Sequence, residues 1–264
     1  MNEKSSLQNL LVLVTRPMPE GEKLCAALRV EGAHPTYLPT IEIVPLLNEK
    51  NLIKCMNDLD QYTLFIFTSP QAVFQSVALI KKAGPIFPKT LQVAAIGLGT
   101  AKALQSAGFI SVIYPEEWSS EGFLALPLFQ NLTGQRIAIF RGEGGRDLLA
   151  KQCEARGALV TPIVVYRRAL PRVDDIEHYR ELLQTQKIDI IVCTSGDGLR
   201  YLVHLMGADY LPLLQHTPLL VISERLIKLA KELQFDTVFL AANASHLAVI
   251  EALYQYKGNH DVSC

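Results

Sequence analysis

The sequence repeats itself at half its length. Phe67-Thr68-Ser69 returns as Cys193-Thr194-Ser195, an offset of 126 (195 − 69). Val93-Ala94-Ala95-Ile96-Gly97 returns as Leu219-Leu220-Val221-Ile222-Ser223 at the same offset (223 − 97), and Trp118-Ser119-Ser120 as Ala244-Ser245-His246. Val14-Thr15-Arg16-Pro17 is matched by Ile139-Phe140-Arg141-Gly142 at 125 (141 − 16), and Gly32-Ala33 by Gly157-Ala158 at 125 (157 − 32). A register held over half of 264 residues predicts two similar lobes. Two lobes create a cleft, the usual place for a ligand.

Within each half, apolar runs of strand length alternate with helical patterns. Leu10–Thr15, His34–Leu38, Thr63–Phe67, Gln92–Ile96 and Ser111–Tyr114 read as strands; Glu20–Val30, Leu52–Leu59, Pro70–Lys81, Thr100–Ala107 and Ser120–Leu128 read as helices. The second half continues with strands at Arg136–Phe140, Leu159–Val165, Asp189–Cys193, Leu219–Ile222 and Thr237–Leu240, separated by helical patterns such as Gly198–Leu205 and Glu224–Leu233. Continuous β-branched runs such as Ile188–Val192 suit strands covered on both faces, and strand–helix alternation indicates parallel sheets. The expected class is therefore α/β. Two proline-bounded extended stretches, Leu38–Pro45 and Pro162–Pro171, break the alternation. If both carry the chain between lobes, one lobe holds residues 47–163 and the other 1–37 with 172–264, leaving 38–46 and 164–171 as linker strands. Tandem halves divided near Thr133-Gly134 are the alternative, and spacing does not choose between them.

Net charge is −1, which gives no global basic field for nucleic acid or an anionic membrane surface. No run reaches membrane-spanning length, and no export signal is legible, so the expected location is the cytoplasm. Cys25, Cys55, Cys153, Cys193 and Cys264 show no CxxC spacing and read as ordinary small residues in a reducing compartment. The six histidines form no HExxH pair, so no metal site is expected.

In parallel α/β sheets ligands bind beyond the carboxyl ends of strands. The residues there are Thr15-Arg16, Thr68-Ser69, Gly97 to Thr100, Pro115 to Ser120, Arg141-Gly142 to Arg146, Thr194-Ser195, Ser223 and Ala242 to Ser245. Hydroxyls, glycines and arginine at helix starts suit anionic oxygens. The same serines and threonines also suit plain helix capping, and a cap is inherited with its helix. Gly97-Leu98-Gly99-Thr100-Ala101-Lys102, with Glu117 further on, imitates a dinucleotide fingerprint, but Lys102 occupies the third glycine position. Tyr166, beside Arg167 and Arg168, is a candidate weak general acid whose counterpart Ile41 is apolar. Alternation alone sets its face, and a one-residue shift of register reverses it.

These pieces in this order resemble the uroporphyrinogen-III synthase family from about Leu10 to Tyr256. The resemblance rests on Val14-Thr15-Arg16-Pro17, Phe67-Thr68-Ser69-Pro70, Ala95-Ile96-Gly97 with Thr100-Ala101, and Ser119-Ser120-Glu121-Gly122-Phe123-Leu124. It continues through Arg141-Gly142-Glu143-Gly144-Gly145-Arg146, Val165-Tyr166-Arg167-Arg168, Cys193-Thr194-Ser195 and Val221-Ile222-Ser223-Glu224-Arg225. It implies two flavodoxin-like parallel-sheet lobes joined by two extended linker strands, which favours the crossing-linker division. It further implies a monomeric, cofactor-free lyase of tetrapyrrole synthesis. Such an enzyme closes hydroxymethylbilane with inversion of ring D, and hydroxymethylbilane synthase is a candidate transient partner. Tyr166 matches the tyrosine proposed to assist departure of hydroxide. Thr15, Arg16, Thr68, Ser69, Gly97, Thr100, Ser119, Ser120, Arg141, Gly142, Thr194, Ser195, Ser223 and Ser245 become candidates for binding the substrate carboxylates. Apart from the resemblance, two hinged anion-friendly lobes also suit an organic-anion binding protein or an inactive homologue.

Overall fold

The computed structural model describes residues 7–46, 50–82, 91–116, 120–144 and 147–261. Glu117, Trp118, Ser119, Gly145, Arg146 and Cys264, all named above, lie outside the described residues. In chain order the elements begin with β1 (Leu11–Val14), α1 (Glu20–Val30), β2 (His34–Tyr37), β3 (Glu42–Pro45), α2 (Lys50–Asn57), β4 (Leu64–Phe67) and α3 (Pro70–Lys82). Next come β5 (Gln92–Ala95), α4 (Leu98–Ser106), α5 (Ser120–Ala125), β6 (Arg136–Gly142), α6 (Leu148–Ala155) and β7 (Leu159–Ala169). The series ends with α7 (Ile176–Gln184), β8 (Ile190–Val192), α8 (Gly196–Met206), α9 (Leu211–His216), β9 (Leu219–Val221), α10 (Glu224–Glu232), β10 (Val238–Leu240) and α11 (His246–Asp261).

The chain forms two units, Met1–Glu42 with Ala169–Cys264, and Ile43–Arg168. The first contains the sheet β10-β9-β8-β1-β2 and the second the sheet β3-β7-β6-β4-β5. The pairs β1–β2, β1–β8, β8–β9, β9–β10, β4–β5, β4–β6 and β6–β7 are all parallel. The repeat offsets relate the two sheets strand by strand. β2-β1-β8-β9-β10 corresponds to β7-β6-β4-β5 followed by Ile113, which bridges Ala94 in parallel at the sheet edge. Each sheet thus takes two strands from one half of the repeat and the rest from the other half.

Side chains alternate across each sheet, so the β-branched runs supply two cores per unit. In the first unit Val12, Val14, Ile190 and Val192 pack with Leu24 and Leu28 of α1 and Val249 and Leu253 of α11. On the other face Leu13, Ile191, Leu219 and Val221 meet Leu199, Leu202 and Leu226 of α8 and α10. In the second unit Phe65, Phe67, Ala138, Phe140 and Ile163 form one face and Leu64, Ile66, Ile137 and Ile139 the other. Phe140 is stacked on Phe67 with ring centroids 4.6 Å apart and is met edge-on by Phe65 at 4.9 Å.

Several boundaries differ from the sequence reading for local reasons. The strand expected at Ser111–Tyr114 reduces to the single Ile113 bridge. The helix expected at Ser120–Leu128 ends at Ala125, and a separate 3-10 turn runs Pro127–Phe129 with proline at its start. Gly207, at φ 82°, stops α8, a conformation glycine adopts without strain. A 3-10 turn at Ala208–Tyr210 and helix α9 follow it, and the sequence reading contained neither. Their Asp-Tyr-Leu-Pro stretch carries a proline that is tolerated because it falls in the first turn.

Candidate active site

Because the paired strands run parallel, the turns singled out in the sequence gather at the carboxyl edge of each sheet. In the second unit that edge carries Thr68 and Ser69 after β4, Gly97 after β5, and Arg141 and Gly142 at the end of β6, with Tyr166 near the end of β7. Ser69 caps α3: its Oγ accepts the Ala72 backbone N–H at 3.1 Å. The same Oγ lies 3.1 Å from the phenolic oxygen of Tyr166. Thr68 spends its hydroxyl on the Phe140 carbonyl at 3.2 Å.

Ser69 and Tyr166 stand two strands apart, with β6 between them. Strands are spaced about 4.8 Å, so the phenol must cross β6 to reach the end of β4. Gly142 lies at the crossing. A Cβ there would fall 2.6 Å from Tyr166 Cζ and 2.9 Å from its hydroxyl oxygen, so the ring occupies the space a side chain would need. A bulge directs the ring there. Arg141 pairs with Val164 but Gly142 pairs with Tyr166, which leaves Val165 as an extra residue in β7. Strict alternation would put Tyr166 on the face of Val164. With the bulge it joins Ile163 and Val165 against Phe67 and Phe140. The Tyr166 carbonyl then accepts the Glu143 N–H at 2.8 Å, which pins the bulge.

One cation borders this phenol, and a second, Arg141, precedes Gly142 in β6. The Arg168 guanidinium carbon is 6.0 Å from the ring centroid, at the outer limit of a cation–π contact. Arg141 is 11% exposed and pairs with Asp147 at 2.7 Å, while its Nε reaches the Gly142 carbonyl at 3.4 Å. Thr100 is buried in the first turn of α4, and Gly97 precedes that helix in an extended conformation. The α4 start approaches α3: a Cβ on Gly99 would lie 3.8 Å from the Pro70 ring. Ser120 opens α5, and Ser119 is outside the described residues.

The first unit uses its hydroxyls differently. Thr15 is buried, donates to the Val192 carbonyl at 2.9 Å, and offers its own carbonyl to Thr40 Oγ1 at 3.2 Å. Ser195 caps α8 by accepting the Gly198 N–H at 3.1 Å, and Ser223 caps α10 through Leu226 N–H at 3.4 Å. Ser245 accepts the Ala248 N–H at 3.2 Å, and Thr194 precedes Ser195 half-buried. Arg16 crosses from the end of β1 to the start of α11, donating to the Ala244 carbonyl at 2.8 Å. Burial lowers its affinity for the proton, and Glu20 counteracts this. Burial raises the Glu20 carboxyl, but Lys23, Arg16 and His246 together outweigh that and hold it below the ordinary range. His246 Nε2 stands 3.4 Å from Glu20, an ion-pair distance without hydrogen-bond geometry.

Four participants carried no sequence signal. Thr40 sits inside a stretch read as a linker, and Asp147 pairs with Arg141 from a loop. Glu20 and His246 meet from opposite ends of the chain. Tyr37 is a fifth surprise. Among the described residues its buried hydroxyl has no hydrogen-bond partner, and burial pushes it up to about 12. Its ring fills the space above Gly21, where a Cβ would lie 2.4 Å from Tyr37 Cε2 and 2.4 Å from the Arg16 carbonyl. Among the described residues no three His, Cys, Asp or Glu side chains are placed to hold a metal ion, and no helix is long and apolar enough to cross a membrane. The strand-end turns of each sheet thus present hydroxyls and an arginine, and the second unit adds the phenol of Tyr166.

Comparison with known proteins agrees with this architecture. The family described as uroporphyrinogen-III synthase HemD matches residues 22–251. Uroporphyrinogen-III synthase of Escherichia coli is 36% identical over 244 residues, 92% of this chain and 99% of that protein. The enzyme of Salmonella typhimurium is 35% identical over the same shares of the two chains. A solved structure of a mutant uroporphyrinogen III synthase from Thermus thermophilus shares the fold at a TM-score of 0.61 and 19% identity, covering 94% of this chain and 99% of that one. A match along nearly the whole length, with the two-sheet fold beneath it, means that this chain belongs to the uroporphyrinogen-III synthase family.

Proposed function

We propose that this protein converts hydroxymethylbilane, a linear tetrapyrrole, into uroporphyrinogen III in porphyrin and heme biosynthesis. The observation that carries this reading is the 36% identity extending over 99% of the Escherichia coli uroporphyrinogen-III synthase. The reaction is that of a cofactor-independent carbon–oxygen lyase, and the protein acts as a cytoplasmic monomer. The stretches 38–46 and 164–171 act as hinge strands joining lobes 1–37 with 172–264 and 47–163.

The open bilane closes by itself to the isomer with ring D uninverted. The enzyme must therefore hold the chain so that the substituted carbon of ring D is attacked, which is a task of orientation. The strand-end turns, with Arg16, Arg141 and backbone N–H groups at helix starts, suit the many carboxylates of such a ligand. Tyr166 supplies the proton for the leaving group. The terminal pyrrole pushes its electron pair toward the hydroxymethyl carbon, and the carbon–oxygen bond breaks with both electrons on oxygen. The departing hydroxide takes the phenolic proton and leaves as water. The substituted carbon of ring D attacks the cationic methylene carbon to give a spiro intermediate. The bond from that ring carbon to its original bridge then breaks, and the freed bridge carbon bonds to the unsubstituted α-carbon of ring D. The proton this carbon loses as the pyrrole regains aromaticity returns to the tyrosinate.

The test couples the protein to hydroxymethylbilane synthase and separates the oxidised products into isomers I and III. Predominant isomer III is the expected outcome. Isomer I at the spontaneous rate, with folded protein present, would replace this reading with a binding role.

A further inference from the structure

Ser69 does more than cap a helix. A serine hydroxyl has one proton and two acceptor positions. One acceptor position is taken by the Ala72 N–H of α3 at 3.1 Å. The contact with Tyr166 at 3.1 Å uses either the remaining acceptor position or the proton. In the first arrangement the phenol donates to Ser69, and its proton is tied up. In the second Ser69 donates to the phenolic oxygen, and the phenolic proton is free to point at a substrate. The Ala72 N–H polarises the Ser69 hydroxyl and strengthens it as a donor, since linked hydrogen bonds reinforce one another.

Capping does not require this arrangement. Ser195, the repeat counterpart of Ser69, accepts the Gly198 N–H at the same 3.1 Å. The residues facing that turn are Thr40, whose Oγ1 lies 3.1 Å from the Cβ position of Gly198 and donates to the Thr15 carbonyl, and Ile41, whose Cδ1 lies at 3.6 Å; neither is a phenol. In the second unit a bulge in β7 and a glycine at position 142 both serve to bring a phenol to the serine.

We infer that Ser69 is a positioning residue that donates to the Tyr166 oxygen, freeing the phenolic proton for the leaving hydroxide and stabilising the tyrosinate that forms. The inference rests on Tyr166 being the acid. It requires that Ser69 act on turnover through Tyr166 and not on substrate affinity.

The experiment measures kcat and KM for isomer III in Ser69→Ala, Ser69→Thr, Ser69→Asp, Tyr166→Phe and the double variant Ser69→Ala/Tyr166→Phe, each with its thermal midpoint. Asp175→Ala, which removes the side-chain cap of α7, serves as a matched capping control. Ser69→Ala should lower kcat about tenfold with KM unchanged, the pattern of an interaction made only in the transition state. Ser69→Thr keeps the donor and should recover most of the loss. Ser69→Asp keeps a cap but can only accept when ionised, so it should hold the midpoint and still lose kcat. Asp175→Ala should lower the midpoint and leave kcat alone. The double variant should be no slower than Tyr166→Phe. A tenfold loss persisting in the Tyr166→Phe background, or a raised KM at normal kcat, would overturn the inference. A slow Tyr166→Phe beside a wild-type Ser69→Ala would overturn it while leaving Tyr166 as the acid. An unimpaired Tyr166→Phe would sink the assignment of the acid itself, and the inference with it.

Discussion

Where β7 carries Tyr166, the equivalent stretch of the first unit carries Ile41, and where β6 ends in Gly142 the first unit has Pro17. Apart from β3, added at the edge of the second sheet, the equivalent strands follow one order in both, and both units place a capping serine after the corresponding strands β4 and β8, Ser69 and Ser195. The frame and its capping serines are common to both units. The phenol–serine pair is a feature of the second unit. The first unit has a tyrosine too, but Tyr37 enters at another position and packs over Gly21, its hydroxyl without a partner among the described residues. Each tyrosine lies against a glycine, Tyr166 against Gly142 at the end of β6 and Tyr37 against Gly21 in α1; the first has a hydrogen bond to give it direction, and among the described residues the second has none.

The strongest way to break this contrast is to remove each hydroxyl in turn. Tyr166→Phe should lower the isomer III rate about 100-fold, the lower end of general acid catalysis, with far-ultraviolet circular dichroism unchanged. A full rate in this variant would make the two tyrosines functionally alike.

The glycines sharpen the contrast next. A methyl at Gly21 meets the Arg16 backbone carbonyl at 2.4 Å, which cannot step aside, whereas one at Gly142 meets the Tyr166 ring at 2.6 Å, a side chain that can. Gly21→Ala should therefore destabilise by about 3 kcal/mol and Gly142→Ala by about 1 kcal/mol, within the range for overpacking. Activity should rank the opposite way once corrected for folded protein, because Gly142→Ala displaces the phenol. Denaturant midpoints and the coupled assay on the same preparations check both orders.

A smaller effect of opposite sign is expected at Tyr37. An unsatisfied buried hydroxyl costs folding free energy, so Tyr37→Phe should raise stability by about 1 kcal/mol and leave the isomer III rate unchanged. A loss of stability would mean that the hydroxyl has a partner such as a bound water.

The smallest expected effect is common to both units. Burial pushes the Cys153 thiol up to about 11 and the Cys55 thiol up to about 12, from an ordinary 9.0, and raises Cys25 and Cys193 as well. A protonation favoured in the folded state contributes stability that is complete below the unfolded value of 9.0 and lost as pH climbs toward 11 to 12. The urea midpoint should be flat up to about pH 8.5 and decline above it, less steeply in Cys55→Ala/Cys153→Ala. Alkylation of these four thiols should require unfolding, consistent with their burial.

Much of this molecule is legible in its sequence because the governing interactions are local. The β-branched runs, the 3.6-residue helical periods, the capping serines and the strand-end turns follow from neighbours a few residues apart. The internal repeat adds one long-range fact, that two similar sheets exist. Ser69, Arg141, Gly142 and Tyr166 are each recognisable as strand-end or strand residues with chemistry to offer. Their mutual contact is not, because it depends on which strands become neighbours. Sequence order separates β4 from β7 by about 90 residues, and only pairing of both with β6 puts Ser69 and Tyr166 within hydrogen-bonding reach.

The face of Tyr166 marks the boundary most clearly. Alternation along Ile163-Val164-Val165-Tyr166 places the tyrosine opposite Val165, yet both lie on one face in the folded chain. The extra residue at Val165 arises from the hydrogen-bond register between β6 and β7, and no local preference of these residues encodes it. The sequence by itself determined the elements, their class and their duplication, since short-range sterics and hydrophobic period dictate those. Local spacing left open which strands from each half share a sheet, and the tertiary structure decided that and which way the phenol points, since both are set by pairing between segments distant in the chain.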